Sequence, residues 1–182
     1  AWFNQWLGSR GGMEAGETMI LGGAWEAGKT SLGSLMAADA LGLGCPVTFW
    51  QLELSPADTL EHLQAQLPTP TDWHTTNAAE RIQRPLPDSW TELLEIPNNP
   101  SPNAGEVVAA IHRMARRAER LNRHDCKGLL VIDYAQRLKV SSATSSQHEE
   151  LAEAASLIAK AAANTGACVL LLSQVNKDDQ AR

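Results

Sequence analysis

The feature that most constrains this chain is a glycine-rich segment that matches the pattern G-x-x-x-x-G-K-[ST] at every fixed position. The segment reads Gly23-Ala24-Trp25-Glu26-Ala27-Gly28-Lys29-Thr30. An apolar run precedes it and a helical pattern follows. Glycines at these positions let successive backbone N–H groups form an anion-binding nest at the amino terminus of a helix. The segment therefore predicts a phosphate-binding loop between a strand and a helix.

The side chains of this loop predict how a nucleotide would be held. Lys29 can reach the β- and γ-phosphates and the Thr30 hydroxyl can ligate Mg²⁺, so ATP and Mg²⁺ are the cofactors expected here. We expect all eight loop residues, and Ser31 after them, to contact the nucleotide. Because a carboxylate facing phosphates would repel them, we expect the side chain of Glu26 to point to solvent or to a neighbouring subunit.

Apolar runs alternate with helical patterns along the chain. The runs cover 18–22, 47–54, 128–134 and 168–175, and the helical patterns cover 30–42, 55–66, 104–123 and 148–164. Near-continuous hydrophobicity is typical of strands that are buried on both faces. The alternation predicts a single α/β domain over residues 1–182, with a mostly parallel sheet and helices on both faces. Residues 67–103 and 139–147 are predicted to be irregular connections, with a short helix around 89–94.

Composition excludes several classes of protein. Hydrophobic residues make up 43% of the 182 residues and charged residues 20%, which is typical of a globular domain and not of a disordered chain. No apolar run approaches the ~20 residues that cross a bilayer and no secretory signal is visible, so we expect a cytoplasmic protein without a membrane partner. The net charge of −6 argues against a broad surface for duplex DNA. Cys45, Cys126 and Cys168 lack the spacing of a metal site and are expected to be reduced thiols.

Polar side chains end three of the apolar runs. Asp133 follows Val131 and Ile132, while Glu53 and Gln174 lie near the ends of their runs. The carboxyl ends of parallel strands meet at one edge of a sheet, where Asp133 suits an Mg²⁺-associated carboxylate. At the same edge Glu53 could activate a water molecule, and Gln174 could sense the γ-phosphate. From these residues alone, Glu53 and Gln174 are more simply interpreted as polar strand ends that face solvent.

Four segments read together resemble the motor domain of DnaB-type replicative helicases, a branch of the RecA-like ATPases. The segments similar to family motifs are Gly11-Gly12-Met13-Glu14-Ala15-Gly16-Glu17, Gln51-Leu52-Glu53-Leu54-Ser55, Val131-Ile132-Asp133-Tyr134-Ala135-Gln136 and Leu172-Ser173-Gln174-Val175-Asn176-Lys177. The last two are specific to this branch. The resemblance covers essentially the whole chain, although Trp25 and Glu26 replace smaller residues of the family's loop and Arg137 stands where leucine is common.

The resemblance implies a role for each polar strand end. Asp133 would be the metal-associated aspartate beside Thr30, Glu53 the catalytic base, and Gln174 the γ-phosphate sensor. With Lys29 on the phosphates, these residues imply a RecA-like P-loop core that hydrolyses ATP.

The resemblance also implies the setting in which the core works. Family members are ATP-dependent DNA helicases that form six-fold rings around single-stranded DNA, which here would be contacted by Lys139 or Lys177. The implied protein is a homo-hexamer from a bacterial, plasmid or phage replication system, with primase or a loader as further partners. Alternatives are a recombinase or KaiC-type regulatory ATPase on the same core, or a nucleotide-binding loader module without turnover.

The ends of the chain predict a core that is truncated at its carboxyl-terminal end. The chain begins with Ala1, which suggests a piece of a larger protein, and stops at Arg182, before the family's arginine finger and last strands. Since neighbouring subunits share the ATP site in this family, we expect this chain alone to bind Mg-nucleotide with weak or absent hydrolysis.

Overall fold

Five parallel strands form one sheet in the computed structural model, which describes residues 12–66, 85–123, 126–139 and 147–175. The strands are Thr18–Gly23 (β1), Val47–Gln51 (β2), Leu94–Glu95 (β3), Leu129–Asp133 (β4) and Cys168–Gln174 (β5). Their order across the sheet is β1-β5-β4-β2-β3, and every pairing is parallel. The carboxyl ends of the strands therefore share one edge, where Gly23 pairs with Gln174 and Gln51 with Asp133.

Helices cover both faces of this sheet. They are Lys29–Gly42 (α1), Pro56–Ala65 (α2), Asp88–Thr91 (α3), Ala104–Arg120 (α4) and Gln147–Thr165 (α5), with a short 3₁₀ helix at Ala135–Arg137. Side chains of α1, α2 and α3 pack on one face together with Val131 and Leu170. Side chains of α4 and α5 pack on the other face, against Ile132 and Leu171. The predicted α/β sheet with helices on both faces is thus confirmed.

Burial on both faces explains the apolar runs in the sequence. Alternate residues of β4 point to opposite layers, with Leu130 and Ile132 in the α4–α5 layer and Val131 in the other, and all three are fully buried. On α4, a stripe of apolar side chains that includes Ile111 and Met114 is buried as well. Burying a side chain of this size stabilises the fold by ~1.5–3 kcal/mol, so the stripe fixes α4 on the sheet.

Reciprocal side-chain bonds begin the helices α2 and α4. The Ser55 side chain accepts from the Asp58 backbone N–H, and the Asp58 carboxylate accepts from the Ser55 N–H, while Pro56 occupies the first turn. Asn103 and Glu106 form the same arrangement at α4. Each such cap contributes ~1 kcal/mol. The helix predicted over 55–66 is confirmed as Pro56–Ala65.

The second strand is shorter than the apolar run predicts. The run 47–54 was expected to be one strand, whereas β2 ends at Gln51. The backbone N–H of Glu53 is bonded to the side chain of Gln51, so the chain turns there instead of continuing the ladder. In the stretch predicted to be irregular, the short helix lies at Asp88–Thr91, and the two-residue strand β3 follows it.

Two cysteines are paired, which contradicts the expectation of three reduced thiols. Cys45 precedes β2 and Cys126 precedes β4, and because these strands are neighbours the two Cα atoms lie 5.7 Å apart, bridged by a disulfide. Cys168 is a free thiol. Among the described residues, no helix combines the length and apolar character that a membrane span needs.

Candidate nucleotide-binding site

The glycine-rich segment forms a tight loop between β1 and α1. The Ala27 N–H donates to the Ala24 carbonyl at 3.2 Å and closes a turn. Gly28, at the start of α1, has φ +81°, a left-handed conformation that only glycine adopts without strain. No side chain caps the first turn of α1. Its backbone N–H groups therefore remain available to an anion, as expected for a phosphate-binding loop.

The Lys29 side chain is folded back over the glycine-rich loop. Its Nζ donates to the carbonyl oxygens of Gly23 at 3.0 Å and Ala24 at 2.7 Å. A side chain at Gly23 would meet Lys29 Cδ at 3.3 Å, so the glycine permits this close approach. The ammonium group is thus held beside the loop, where phosphate oxygens could replace the two carbonyl oxygens as its hydrogen-bond acceptors.

Thr30 and Asp133 meet across the sheet edge although 103 positions separate them. The Thr30 hydroxyl donates to Asp133 Oδ2 at 2.5 Å. Asp133 is 4% exposed, and its Oδ2 also accepts from Gln51 Nε2 at 2.9 Å. Hydroxyl and carboxylate oxygens are ligands that Mg²⁺ prefers, with substrate phosphates and water completing its shell. The pair therefore fits an Mg²⁺ ion that is shared with a nucleotide, and the described residues contain no larger cluster of metal-binding side chains.

Glu53 lies just beyond the end of β2, where its side chain is half exposed. Its backbone N–H donates to Gln51 Oε1 at 3.0 Å. Its carboxylate Oε1 lies 3.5 Å from Nη2 of Arg137, and the two side chains are 44% and 48% exposed. Because β2 already ends at Gln51, Glu53 lies outside the buried part of the strand. The carboxylate is an accessible base at the sheet edge that carries the loop.

Arg137 is fixed by a second contact besides Glu53. Its guanidinium carbon lies 5.6 Å from the centre of the Tyr134 ring, and its Nε donates to the Tyr134 hydroxyl at 3.4 Å. The hydrogen bond with Tyr134 and, less strongly, the neighbouring Glu53 carboxylate raise the pKa of Arg137 above its ordinary value. A charged guanidinium therefore lies beside the Glu53 carboxylate.

Gln174 is the last residue of β5. This strand lies between β1, which leads into the loop, and β4, which carries Asp133. The Gln174 backbone N–H and C=O are both bonded to the side chain of Gln136, at 3.3 and 2.8 Å. Gln136 Nε2 also donates to Ser173 Oγ at 2.8 Å. The end of β5 is thus tied to the segment that follows Asp133.

These side chains surround one cavity of about 300 Å³. Its lining residues are Trp25, Glu26, Ala27, Gly28, Lys29, Thr30, Ser31, Glu53, Asp133, Tyr134 and Gln174. Gly23 and Ala24, the first two residues of the predicted loop, are not among the lining residues and accept the Lys29 bonds. Glu26 is exposed, in agreement with the expectation that it faces solvent, although it also contributes to the cavity wall. The cavity therefore joins every predicted catalytic and metal-associated residue.

Of the two predicted DNA contacts, Lys139 is not among the described residues that line this cavity. Lys139 is exposed, and its backbone is tied to the start of α4 by bonds with Pro102 at 2.9 Å and Ala104 at 3.3 Å. Lys177 lies outside the described residues.

Sequence reasoning missed two glutamines that hold the site together. Gln51 is 6% exposed and bridges Asp133 to the Glu53 backbone, while Gln136 binds the end of β5. A signal for Gln51 was present, because a polar residue in a strand that is buried on both faces needs a hydrogen-bond partner nearby. Gln136 lies outside the apolar run, and its signal was its place at the end of the family-like segment 131–136.

Comparison with known proteins gives the family and the fold. A model of the DnaB-like helicase C terminal domain matches residues 5–182. Among solved structures, the chain is similar to a DnaB-like replicative helicase described with its interactions with primase, at a TM-score of 0.71 and 16% identity, covering 93% of this chain and 42% of that one. It is also similar to a second solved structure, described as an ATPase domain, at a TM-score of 0.72 and 15% identity, covering 95% and 62%. A search of curated protein sequences finds no match.

The solved structures are longer than this chain, which spans 42% and 62% of their lengths. At these identities the likeness shows the shared RecA-like sheet. The family model matches nearly the whole chain. The chain belongs to the family of DnaB-like helicase C-terminal domains.

Proposed function

We propose that this chain is the ATP-hydrolysing motor domain of a ring-forming replicative DNA helicase, which couples hydrolysis to movement along single-stranded DNA. The observation that carries the proposal is the shared cavity: Lys29, Glu53 and Asp133 come from different strand ends and line the same 300 Å³. A phosphate-binding loop alone would support nucleotide binding. A buried carboxylate and an exposed carboxylate on the same cavity support hydrolysis as well.

Different residues of the cavity are assigned to the phosphates and to the metal ion. Lys29 and the loop N–H groups hold the phosphates, and Thr30 with Asp133 holds Mg²⁺. When bound, Mg²⁺ neutralises charge on the phosphate oxygens. The 2.5 Å contact between Thr30 and Asp133 supports this assignment, because it already brings two oxygen ligands together.

Glu53 and Gln174 are the residues that we assign to turnover. Glu53 accepts a proton from the attacking water, a form of help worth ~10²–10⁴-fold in rate. Gln174 senses the γ-phosphate from its place between β1 and β4. The bonds from Gln136 to the end of β5 support transmission from Gln174 to the segment after Asp133.

Family membership supports a proposal for the larger assembly. We propose a homo-hexameric ring around single-stranded DNA, with Lys139 and Lys177 on the DNA backbone, in the cytoplasm of a bacterial cell or of a phage- or plasmid-carrying host. Primase or a helicase loader is the expected further partner. Because neighbouring subunits share the site in such rings, this chain alone binds Mg-nucleotide with weak or absent hydrolysis.

The first test measures Mg-nucleotide binding and turnover. Lys29→Ala should abolish binding of a fluorescent Mg-ATP analogue to this chain, whereas the matched control Lys160→Ala, an exposed lysine on α5, should bind normally. In the full-length protein, Glu53→Gln should keep binding and lose ~10²–10⁴-fold in kcat. An unchanged rate in Glu53→Gln would remove Glu53 from its role.

The second test separates a helicase from the other proteins that use this core. The full-length protein should unwind a forked duplex with ATP. Strand exchange without unwinding would favour a recombinase, and nucleotide binding without turnover would favour a loader module.

A further inference from the structure

Arg137 contacts the proposed base from the segment that leads to the proposed DNA contact. The 3₁₀ helix Ala135–Arg137 follows β4 directly, and β4 is paired with β2, which leads to Glu53. This pairing brings the guanidinium within 3.5 Å of the Glu53 carboxylate. Lys139 stands two residues further on, on a backbone that is anchored to the start of α4.

The contact restrains the base in a chemically defined way. A carboxylate oxygen that contacts a guanidinium is held in one orientation and is not free to accept a hydrogen bond from a water molecule. Arg137 is not among the residues that line the nucleotide cavity, so it holds Glu53 from outside. Tyr134 orients the guanidinium in that position.

The ion pair is also easily exchanged. About half of each side chain is exposed, and exposed pairs of this kind contribute little to stability. A phosphodiester offers a guanidinium two oxygens in a matching geometry, so it can replace a single carboxylate oxygen at 3.5 Å. The exposed Lys139 adds a second positive charge in the same short segment.

We propose that Arg137 is a positioning residue that restrains Glu53 until a phosphate of single-stranded DNA binds the Arg137 guanidinium. The phosphate then replaces the Glu53 carboxylate in this contact and leaves the carboxylate free. The inference rests on the proposed role of Glu53 and adds the regulation of that role by nucleic acid. It predicts that the pair lowers ATP hydrolysis without DNA and contributes to stimulation by DNA.

The test measures steady-state ATP hydrolysis by the full-length protein at fixed salt, with and without oligo(dT). Arg137→Leu should raise kcat without DNA by about two- to fivefold, the range that an exposed ion pair supplies, with KM for ATP unchanged. Stimulation by oligo(dT) should fall by the same factor. Arg137→Lys keeps the charge but not the planar guanidinium, so it should keep the low rate without DNA and retain only part of the stimulation by oligo(dT). The matched control Arg116→Leu, an exposed arginine on α4, should change neither quantity.

Further variants keep the result interpretable. Arg137→Gln removes the charge but keeps a polar side chain, and it should reproduce the gain if Arg137→Leu does not fold. The gain should vanish in Arg137→Leu combined with Glu53→Gln. If Glu53→Gln abolishes hydrolysis while Arg137→Leu and Arg137→Gln show wild-type rates and full stimulation, the restraint is refuted and the proposed function stands. If Glu53→Gln alone hydrolyses ATP normally, the role of Glu53 falls and the restraint falls with it.

Discussion

Replacing Gln51 by leucine tests whether the site is held together by this buried side chain. Gln51 Nε2 donates to Asp133 Oδ2 at 2.9 Å, and Gln51 Oε1 accepts from the Glu53 N–H at 3.0 Å. Leucine has a similar volume and can do neither. Among the described residues, the buried Asp133 carboxylate would keep only the bond from Thr30, and the Glu53 backbone would lose the bond that ends β2.

The expected loss can be estimated from these two bonds. A hydrogen bond to a charged group contributes about 1.5–3 kcal/mol, and a backbone N–H deprived of its partner costs about 1–3 kcal/mol when buried. The N–H of Glu53 is near the surface, where water replaces part of the bond, so the total should be about 3 kcal/mol. For a chain of this length that lowers Tm by about 6–12 °C.

The assay is thermal unfolding of Gln51→Leu beside Thr48→Val, a matched change in the same strand. Thr48 is fully buried, and its hydroxyl has no hydrogen-bond partner among the described residues, so Thr48→Val should be neutral or stabilising. Gln51→Leu should also weaken binding of a fluorescent Mg-nucleotide, since Asp133 loses an orienting bond. A Tm within about 2 °C of the wild type, together with unchanged nucleotide affinity, would refute the bridging role of Gln51.

Three further changes test other parts of the structure. Glu26→Gln removes a negative charge from the cavity wall and should tighten Mg-nucleotide binding about twofold in a fluorescence titration, while Glu26→Gly should also relieve the left-handed φ of +60° and stabilise the fold by about 1 kcal/mol. Gly128→Ala should destabilise the chain by about 2–4 kcal/mol in thermal unfolding, because a Cβ there would lie 2.6 Å from Met114 Cγ and 2.9 Å from the Pro46 carbonyl at a φ of +113°. Burial raises the pKa of the Cys168 thiol, so iodoacetamide followed by mass spectrometry should show slower alkylation in the folded chain than in urea. The pKa of this thiol is higher in the folded chain than in the unfolded chain. With respect to this group, the free energy of unfolding is therefore highest below the ordinary thiol pKa and falls as pH rises through the raised pKa, because the unfolded chain releases its proton more readily.

The main features of the site could be predicted because they depend on strand ends. Lys29 and Asp133 are far apart in the sequence, yet each follows an apolar run, and parallel strands bring such positions to one edge. The same logic gave the layers on both faces of the sheet. A one-dimensional pattern is sufficient here, since a parallel sheet leaves little freedom in where its strand ends lie.

The contacts between side chains of different strand ends could not be predicted in the same way. The Arg137–Glu53 pair depends on where β2 stops and on the 3₁₀ turn after β4, and neither is visible as a period in the sequence. The Cys45–Cys126 disulfide depends on which strands are neighbours, and strand order is not encoded by the pattern of runs. β3 has only two residues, too few to produce a periodic signal.

Strand order also explains how the proposed events at the two ends of the site can be linked. β5 lies between the strand of the loop and the strand of Asp133, so a change at Gln174 reaches both neighbours. The Gln136 side chain is hydrogen-bonded to the end of β5, and Gln136 immediately precedes Arg137 in the same 3₁₀ helix. Coupling between sites needs an element with two alternative arrangements. In the proposed motor, the Arg137 guanidinium is such an element, because it can pair with Glu53 or with a DNA phosphate. Gln136 connects these two arrangements to Gln174, the proposed γ-phosphate sensor at the end of β5.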